Sequence, residues 1–276
     1  MKKVVWIAAL VAALGLCPAV AAAPSLEGPT GIVGVPSTAV PDPGIGEISL
    51  SWQDISGDES RTLVRAVYGV APKWEIGGLW WKDRDSGEIK TWGINAKYQV
   101  MREPEQQFGL ALGLGYNKWD VSIPVVGEAP VAQQVPLTSA DFKWTQYYAV
   151  LSKRLSTVAG ASESGLGQVT GLAGLVGERG EVSVPGVGSG SESDTSLMLG
   201  LETSLRDGTY LGIEWRQAWE NVGDDIFSIV ARRKINPELS AELGWTNSAG
   251  PWGLEDHRLF AGISYTWGAP KKQGTY

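Results

Sequence analysis

The chain of 276 residues carries 36 glycines, 13 tryptophans, a single cysteine and a formal charge of −7. That charge argues against nonspecific nucleic-acid binding, and one cysteine excludes a disulfide framework or a thiolate metal centre. No stretch of the sequence is long and apolar enough to cross a bilayer as a helix, so stability must come from burial and backbone pairing.

In chain order, Met1-Lys2-Lys3 and the apolar run from Val4 to Leu16 have the charged start and short hydrophobic region of a secretory signal peptide. Ala19-Val20-Ala21 and Val20-Ala21-Ala22 both offer small residues for cleavage, so residues 1–22 are expected to be removed. The bulky Leu16 is wrong for a lipoprotein signal, and Cys17 is expected to leave with the leader. Loss of Lys2 and Lys3 takes the formal charge from −7 to −9. Residues 23–44 read as an irregular lead with five prolines, which rules out a central strand. This lead is expected in the periplasm.

From residue 45 to residue 268 the chain breaks into short segments in which every second residue is apolar. In Phe108-Gly-Leu-Ala-Leu-Gly-Leu-Gly-Tyr116 one parity is Phe, Leu, Leu, Leu, Tyr, and the other is Gly109, Ala111, Gly113 and Gly115. Such a strand has one greasy face and one small or polar face. The pattern predicts strands near 45–53, 61–71, 73–83, 88–101, 107–119, 142–155, 167–178, 195–205, 209–220, 225–235, 238–247 and 257–268. Turn chemistry at Ala71-Pro72-Lys73, Arg102-Glu103-Pro104-Glu105, Arg206-Asp207-Gly208 and Asn236-Pro237-Glu238 alternates with longer polar links, notably 120–141 and 179–194. Short periplasmic turns and longer outer loops are the asymmetry of outer-membrane barrels. The fold expected is therefore all-β: an antiparallel, transmembrane, up-and-down β-barrel of about 12 strands, with 10 to 14 compatible with the pattern, followed by a polar tail at 269–276.

Aromatic residues gather at segment ends. Trp52, Trp80, Trp92, Trp219 and Trp245 fall towards one rim, and Tyr68, Trp74, Tyr98, Tyr265 and Trp267 towards the other. Trp74 and Trp80 are six residues apart. At a rise of ~3.3 Å and a tilt of about 40° they sit roughly 15 Å apart along the membrane normal, inside a band ~25 Å tall. A soluble β-sandwich would bury its tryptophans rather than align them at strand ends. On the opposite face lie Glu47, Arg65, Glu75, Lys97, Gln146, Glu202, Glu214, Arg216, Arg232, Lys234 and Glu242. Both signs are present, so these charges are expected to pair across a lumen rather than form a filter of one sign.

Several further stretches, taken together and in order, carry a family resemblance. They are Leu26-Glu-Gly-Pro-Thr-Gly-Ile-Val-Gly-Val-Pro-Ser-Thr-Ala39, Tyr68-Gly-Val-Ala-Pro-Lys-Trp-Glu-Ile-Gly-Gly78, Asn95-Ala-Lys-Tyr98, Ser152-Lys-Arg-Leu155 and the closing Phe260-Ala-Gly-Ile-Ser-Tyr-Thr-Trp267. The chain resembles the YjbH-like outer-membrane β-barrel proteins, a family associated with exopolysaccharide production. The resemblance implies an envelope role and supplies no catalytic residues.

Chemistry beyond the barrel is sparse. The only histidine, His257, is predicted at the outer end of the last strand, and Ser264, seven residues on, falls on the other face, which excludes a Ser–His dyad. Acidic residues in outer loops, Asp54, Asp58 and Glu59, Asp83 and Asp85, and Asp224 and Asp225, read as solvated loop charges rather than a metal site. The expectation is a non-enzymatic, porin-like barrel in a Gram-negative-type outer membrane, with no metal and no cofactor. It would act as a channel or export accessory for polysaccharide or other polar solutes. The alternative is a non-conducting structural or surface-interaction barrel that works through its long outer loops. The partners expected are outer-membrane lipid, with polysaccharide or envelope proteins, and not nucleic acid.

Overall fold

The computed structural model describes residues 25, 29–55, 60–83, 89–103, 106–123, 138–156, 166–185, 188–205, 208–218, 224–248 and 255–268. The signal peptide, the polar tail and Trp219 fall outside them. The chain forms β1 (Gly46–Ile55), β2 (Ser60–Ala71), β3 (Trp74–Asp83), β4 (Ile89–Met101), β5 (Gly109–Ile123), β6 (Thr138–Ser156), β7 (Leu166–Val184), β8 (Gly188–Leu205), β9 (Thr209–Arg216), β10 (Ile226–Lys234), β11 (Leu239–Ser248) and β12 (Glu255–Trp267). Each strand pairs with its sequence neighbours, and β1 closes on β12 from Gly46↔Trp267 to Ile55↔Arg258. The result is a closed antiparallel barrel of 12 strands, in which no sheet edge is left to face lipid.

The sidedness of the wall is the reverse of a soluble protein's. Leu112, Ile213 and Ile263 are 47%, 44% and 45% exposed, whereas Arg65, Glu75 and Lys97 are fully buried. Apolar groups outside and charges inside are stable only when hydrocarbon surrounds the wall. Aromatic residues flank this apolar band. At the turn-bearing end Tyr68 stacks on Trp267 at 6.5 Å, and Trp74 meets Tyr98 at 4.7 Å. At the other end Trp80 faces Trp92 across β3 and β4, Trp92 contacts Tyr116, and Phe227 contacts Trp245. Trp52 and Tyr265 are also exposed. Beyond the outer aromatics the exterior turns ionic: Lys118 pairs with Asp120 at 2.9 Å and Asp141 at 3.5 Å, and Arg179 pairs with Glu181 at 3.1 Å. Those pairs mark where the wall leaves the hydrocarbon, since exposed charges are costly within it. The protein is an outer-membrane barrel.

Turn residues close the periplasmic end as their chemistry requires. Lys73 adopts φ 71° after Pro72, the positive value a type II turn needs, and Gly208 adopts φ 82°. Asn236 Oδ1 accepts the amides of Glu238 and Leu239 at 2.9 and 2.7 Å, an Asx turn between β10 and β11.

Three expectations change. The link at 179–194 is not a loop: β7 and β8 continue into a β-ribbon whose register runs from Glu178↔Asp194 to Val184↔Gly188. Alternation could not reveal it because the ribbon stands in water, and Gly188-Ser-Gly-Ser-Glu-Ser193 needs no apolar face to pair its backbone. The link at 120–141 shortens likewise, with β5 and β6 paired out to Ile123↔Thr138. The larger change concerns the lead. It is irregular, but residues 29–39 do not hang in the periplasm; they enter the barrel.

Candidate functional site

The lead folds into a tight loop inside the lumen. Gly31 and Pro36 form an antiparallel bridge, Ile32 N donates to Val35 O at 3.0 Å, and Ser37 N donates to Thr30 O at 2.9 Å. Gly31 is required there, because a Cβ would collide with the Val35 carbonyl and lie 2.9 Å from Pro36 Cα. Ile32, Val33 and Val35 are buried and pack with Ala111, Tyr148, Val150, Leu172, Val176, Met198, Val230 and Phe260 from the wall. This is an apolar core at the barrel axis. Small wall residues make room for it: a Cβ on Gly200 would approach Ile32 Cδ1 at 2.8 Å, and one on Gly212 would approach Ile32 Cγ2 at 2.6 Å.

Charged wall residues hold the loop by its backbone. Glu214 on β9 accepts three consecutive amides, Val33 N at 2.9 Å, Gly34 N at 2.7 Å and Val35 N at 2.8 Å. Arg232 on β10 donates to Gly31 O at 2.7 Å and also to Ile32 O. Glu75 accepts Thr30 N at 2.9 Å and Thr30 Oγ1 at 2.8 Å, while Lys97, 3.2 Å from Glu75, donates to Thr30 O at 3.2 Å. Below them Gln99 Nε2 donates to Thr38 O at 2.7 Å, and Thr38 Oγ1 and Ser152 Oγ share a hydrogen bond at 2.6 Å. A loop of irregular backbone in the lumen must satisfy its polar groups from the wall, and this is the task Glu75, Lys97, Glu214 and Arg232 perform.

Other interior charges form cross-wall pairs. Arg65 contacts both Glu242 and Ser51 Oγ, and Arg232 Nε lies 3.3 Å from Glu242. Arg216 pairs with Glu178, which also accepts Gln146 Nε2 at 2.6 Å. Glu202 is half-buried and accepts Tyr210 Oη at 2.9 Å, and the Arg232 guanidinium sits 5.4 Å from the Tyr210 ring. Glu47 is buried beside Thr266, and Lys234 is half-buried. Ser264 is bonded to Ser49 at 2.6 Å inside the wall. The side chain of His257 lies outside the described residues, as do those of Asp54, Asp58, Glu59, Asp83 and Asp85. Asp225 is committed to Trp215 Nε1 and Ala218 N, each at 3.0 Å.

Sequence reasoning missed the outer tier of the lumen. Above the loop tip a cavity of about 120 Å³ opens outward, with Val33 and Gly34 as its floor. Register sets Leu63, Trp81, Thr91 and Trp119 side by side across β2 to β5. Trp144 on β6 is fully buried and meets Trp119 at 6.0 Å. Arg61 lies over the Trp81 ring at 4.3 Å, and Arg216 and Arg258 line the cavity from the far side. Parity carried the signal: Trp119 shares the face of Gly113, Gly115 and Asn117, and Trp144 shares that of Gln146. Glu178 was obscured because its lumen neighbours Leu172 and Val176 are apolar.

No protein-family model and no curated protein matches this sequence. Among solved structures, the chain is similar to the KdgM porin in complex with disordered oligogalacturonate, with 9% identity over 79% of this chain and 98% of that one and a TM-score of 0.48. It is also similar to the translocator domain of autotransporter NalP from Neisseria meningitidis, with 13% identity over 82% and 89% and a TM-score of 0.48. The Acinetobacter baumannii outer membrane protein Omp33 shares 8% identity over 80% and 98%, with a TM-score of 0.41. At these values the likeness says nothing of function, and the barrel assignment rests on the closed pairing and the apolar exterior.

Proposed function

We propose that this barrel serves envelope biology as a plugged conduit, in which a polar solute of glycan type is received from outside and the lead loop controls passage. The observation that carries the reading is the lead itself: residues 30–38 fill the barrel axis, yet they are tied to the wall by side-chain hydrogen bonds and apolar contact, not by a shared sheet. A plug of that kind is removable without opening the barrel. Supporting it, the lead sequence lies within the stretch that resembles the YjbH-like family, which is associated with exopolysaccharide production. The solute arrives through the outward cavity, whose lining mixes aromatic rings, amides and guanidinium groups.

Conductance in planar bilayers tests this. The intact protein is expected to be closed, and deletion of residues 25–39 is expected to give stepwise conductance while the barrel still migrates faster unboiled in detergent. Equal large steps from both proteins would remove the plug role. A folded deletion variant that stays silent would instead favour the non-conducting, surface-interaction barrel.

A further inference from the structure

We infer that the lipid face of the wall carries a seat for one glycerophospholipid of the periplasmic leaflet, with an acyl chain in a groove across β6 to β10 and the phosphate at Lys153. The inference goes beyond the reading above and does not depend on whether the lumen opens.

Register makes the groove. Two adjacent rows of outward residues cross the wall there: Leu151, Ala173, Leu199, Trp215 and Phe227 in one, and Lys153, Gly171, Leu201 and Ile213 in the other. In both rows β7 contributes the smallest side chain, so Gly171 and Ala173 form a trough between the large side chains of β6 and those of β8. The groove has a volume of about 660 Å³ and an apolar surface. From β6 to β10 it crosses four strand spacings, about 19 Å at ~4.8 Å each. That exceeds half of a hydrocarbon core ~30 Å thick, the depth that the chains of one leaflet fill. Lipid tails are as apolar as leucine, so burial alone favours no part of the wall over another. Preference comes from contacts, and a trough touches a chain along more of its surface than a flat wall does.

Lys153 supplies the second, independent observation. It stands on the outward face between Leu151 and Leu155, is exposed, and borders the groove. It lies four residues beyond Ala149, which is aligned through Leu112 with Tyr98 of the periplasmic aromatics. A cation on a lipid face at that depth extends its ammonium to the phosphate layer. Glu103 accepts the Arg154 amide at 3.0 Å, and among the described residues Lys153 has no ion-pair partner. Its ammonium is therefore open to the phosphate of a lipid whose chain occupies the trough.

The test uses the full mature chain, refolded from urea into detergent micelles so that no native lipid is carried over. Native mass spectrometry counts the adducts, and heat-modifiability is the fold check on every variant. Dipalmitoyl phosphatidic acid is compared with dipalmitoylglycerol, a pair alike in their chains and different in the phosphate. One phosphatidic acid is expected to bind saturably and about tenfold more tightly than the diacylglycerol, the scale of one charge-assisted contact. Lys153→Gln is expected to erase that preference. Ala173→Leu, which fills the trough, is expected to weaken both lipids by about tenfold, whereas Ala149→Leu, on the same face outside the groove, changes neither. Adducts that accumulate with no saturable first site, a preference that survives Lys153→Gln, or parental binding by the folded Ala173→Leu variant would each overturn the proposal. So would a dimer that forms in place of the lipid adduct, which would give the trough to a second copy of the chain.

Discussion

Glu214 offers the sharpest perturbation of the interior. Its carboxylate accepts the amides of three successive residues at the loop tip, at 2.9, 2.7 and 2.8 Å. Glu214→Ala leaves those donors without a partner in a region where Val33 and Val35 are buried. An orphaned buried amide costs about 1–3 kcal/mol. The tip borders the outward cavity, where water can reach part of the deficit, so a total of about 3–5 kcal/mol against loop docking is the reasonable sum. At ~1.4 kcal/mol per decade that amounts to roughly two to three and a half decades in the docked-to-released ratio. Hydrogen exchange by mass spectrometry on peptides spanning residues 30–40 reads it directly. Protection of the lead should collapse by that factor while protection of β1 to β12 is kept, because among the described residues no wall hydrogen bond involves the Glu214 carboxylate. Unchanged lead exchange in a folded variant would refute the tether. A drop in barrel stability equal to the drop in lead protection would refute the separability on which the plug reading stands.

The exterior and the lumen wall give further expectations. Ile263 sits midway along the lipid face of β12, between Leu259 and Trp267, so Ile263→Arg should cost about 2–4 kcal/mol in urea titrations of folding into vesicles, whereas no cost would mean that this face does not meet hydrocarbon. A Cβ at Gly113 would fall on the Tyr148 ring, so Gly113→Val should cost about 1–3 kcal/mol by overpacking in the same titration, and a neutral result would mean that the Tyr148 ring moves freely.

The wall was legible because two independent periods agree in it. Alternation placed Leu112 outside and Ala111 inside, and the turn chemistry at Pro72, Gly208 and Asn236 fixed where the strands reverse. The β7–β8 ribbon was not legible, because beyond Thr195 neither face meets lipid or a core, and pairing there leaves no trace in hydropathy. The destination of the lead was hidden for a different reason. Five prolines correctly forbade a strand, but a chain that cannot join a sheet can still be enclosed by one. The hint lay in composition on both sides of the contact: Ile32, Val33 and Val35 are too apolar for a solvated linker, and the glycines at 200 and 212 are too small for an empty lumen.

Interior charge in this barrel is therefore best understood by what it binds rather than by its net sign. Glu75, Glu214 and Arg232 each hydrogen-bond the backbone of residues 30–35. Such contacts carry no requirement for particular lead side chains, whereas the apolar contacts of Ile32 and Val35 do. Docking thus combines a generic electrostatic cradle with a specific greasy tip. Pulling the lead out exposes the cradle to water, which solvates its carboxylates and guanidinium groups well, while the apolar tip loses its cover. The opening cost falls mainly on the tip and on the three amides at Glu214, which form the floor of the outer cavity. A solute seated in that cavity would rest on Val33 and Gly34, the part of the lead whose removal costs most.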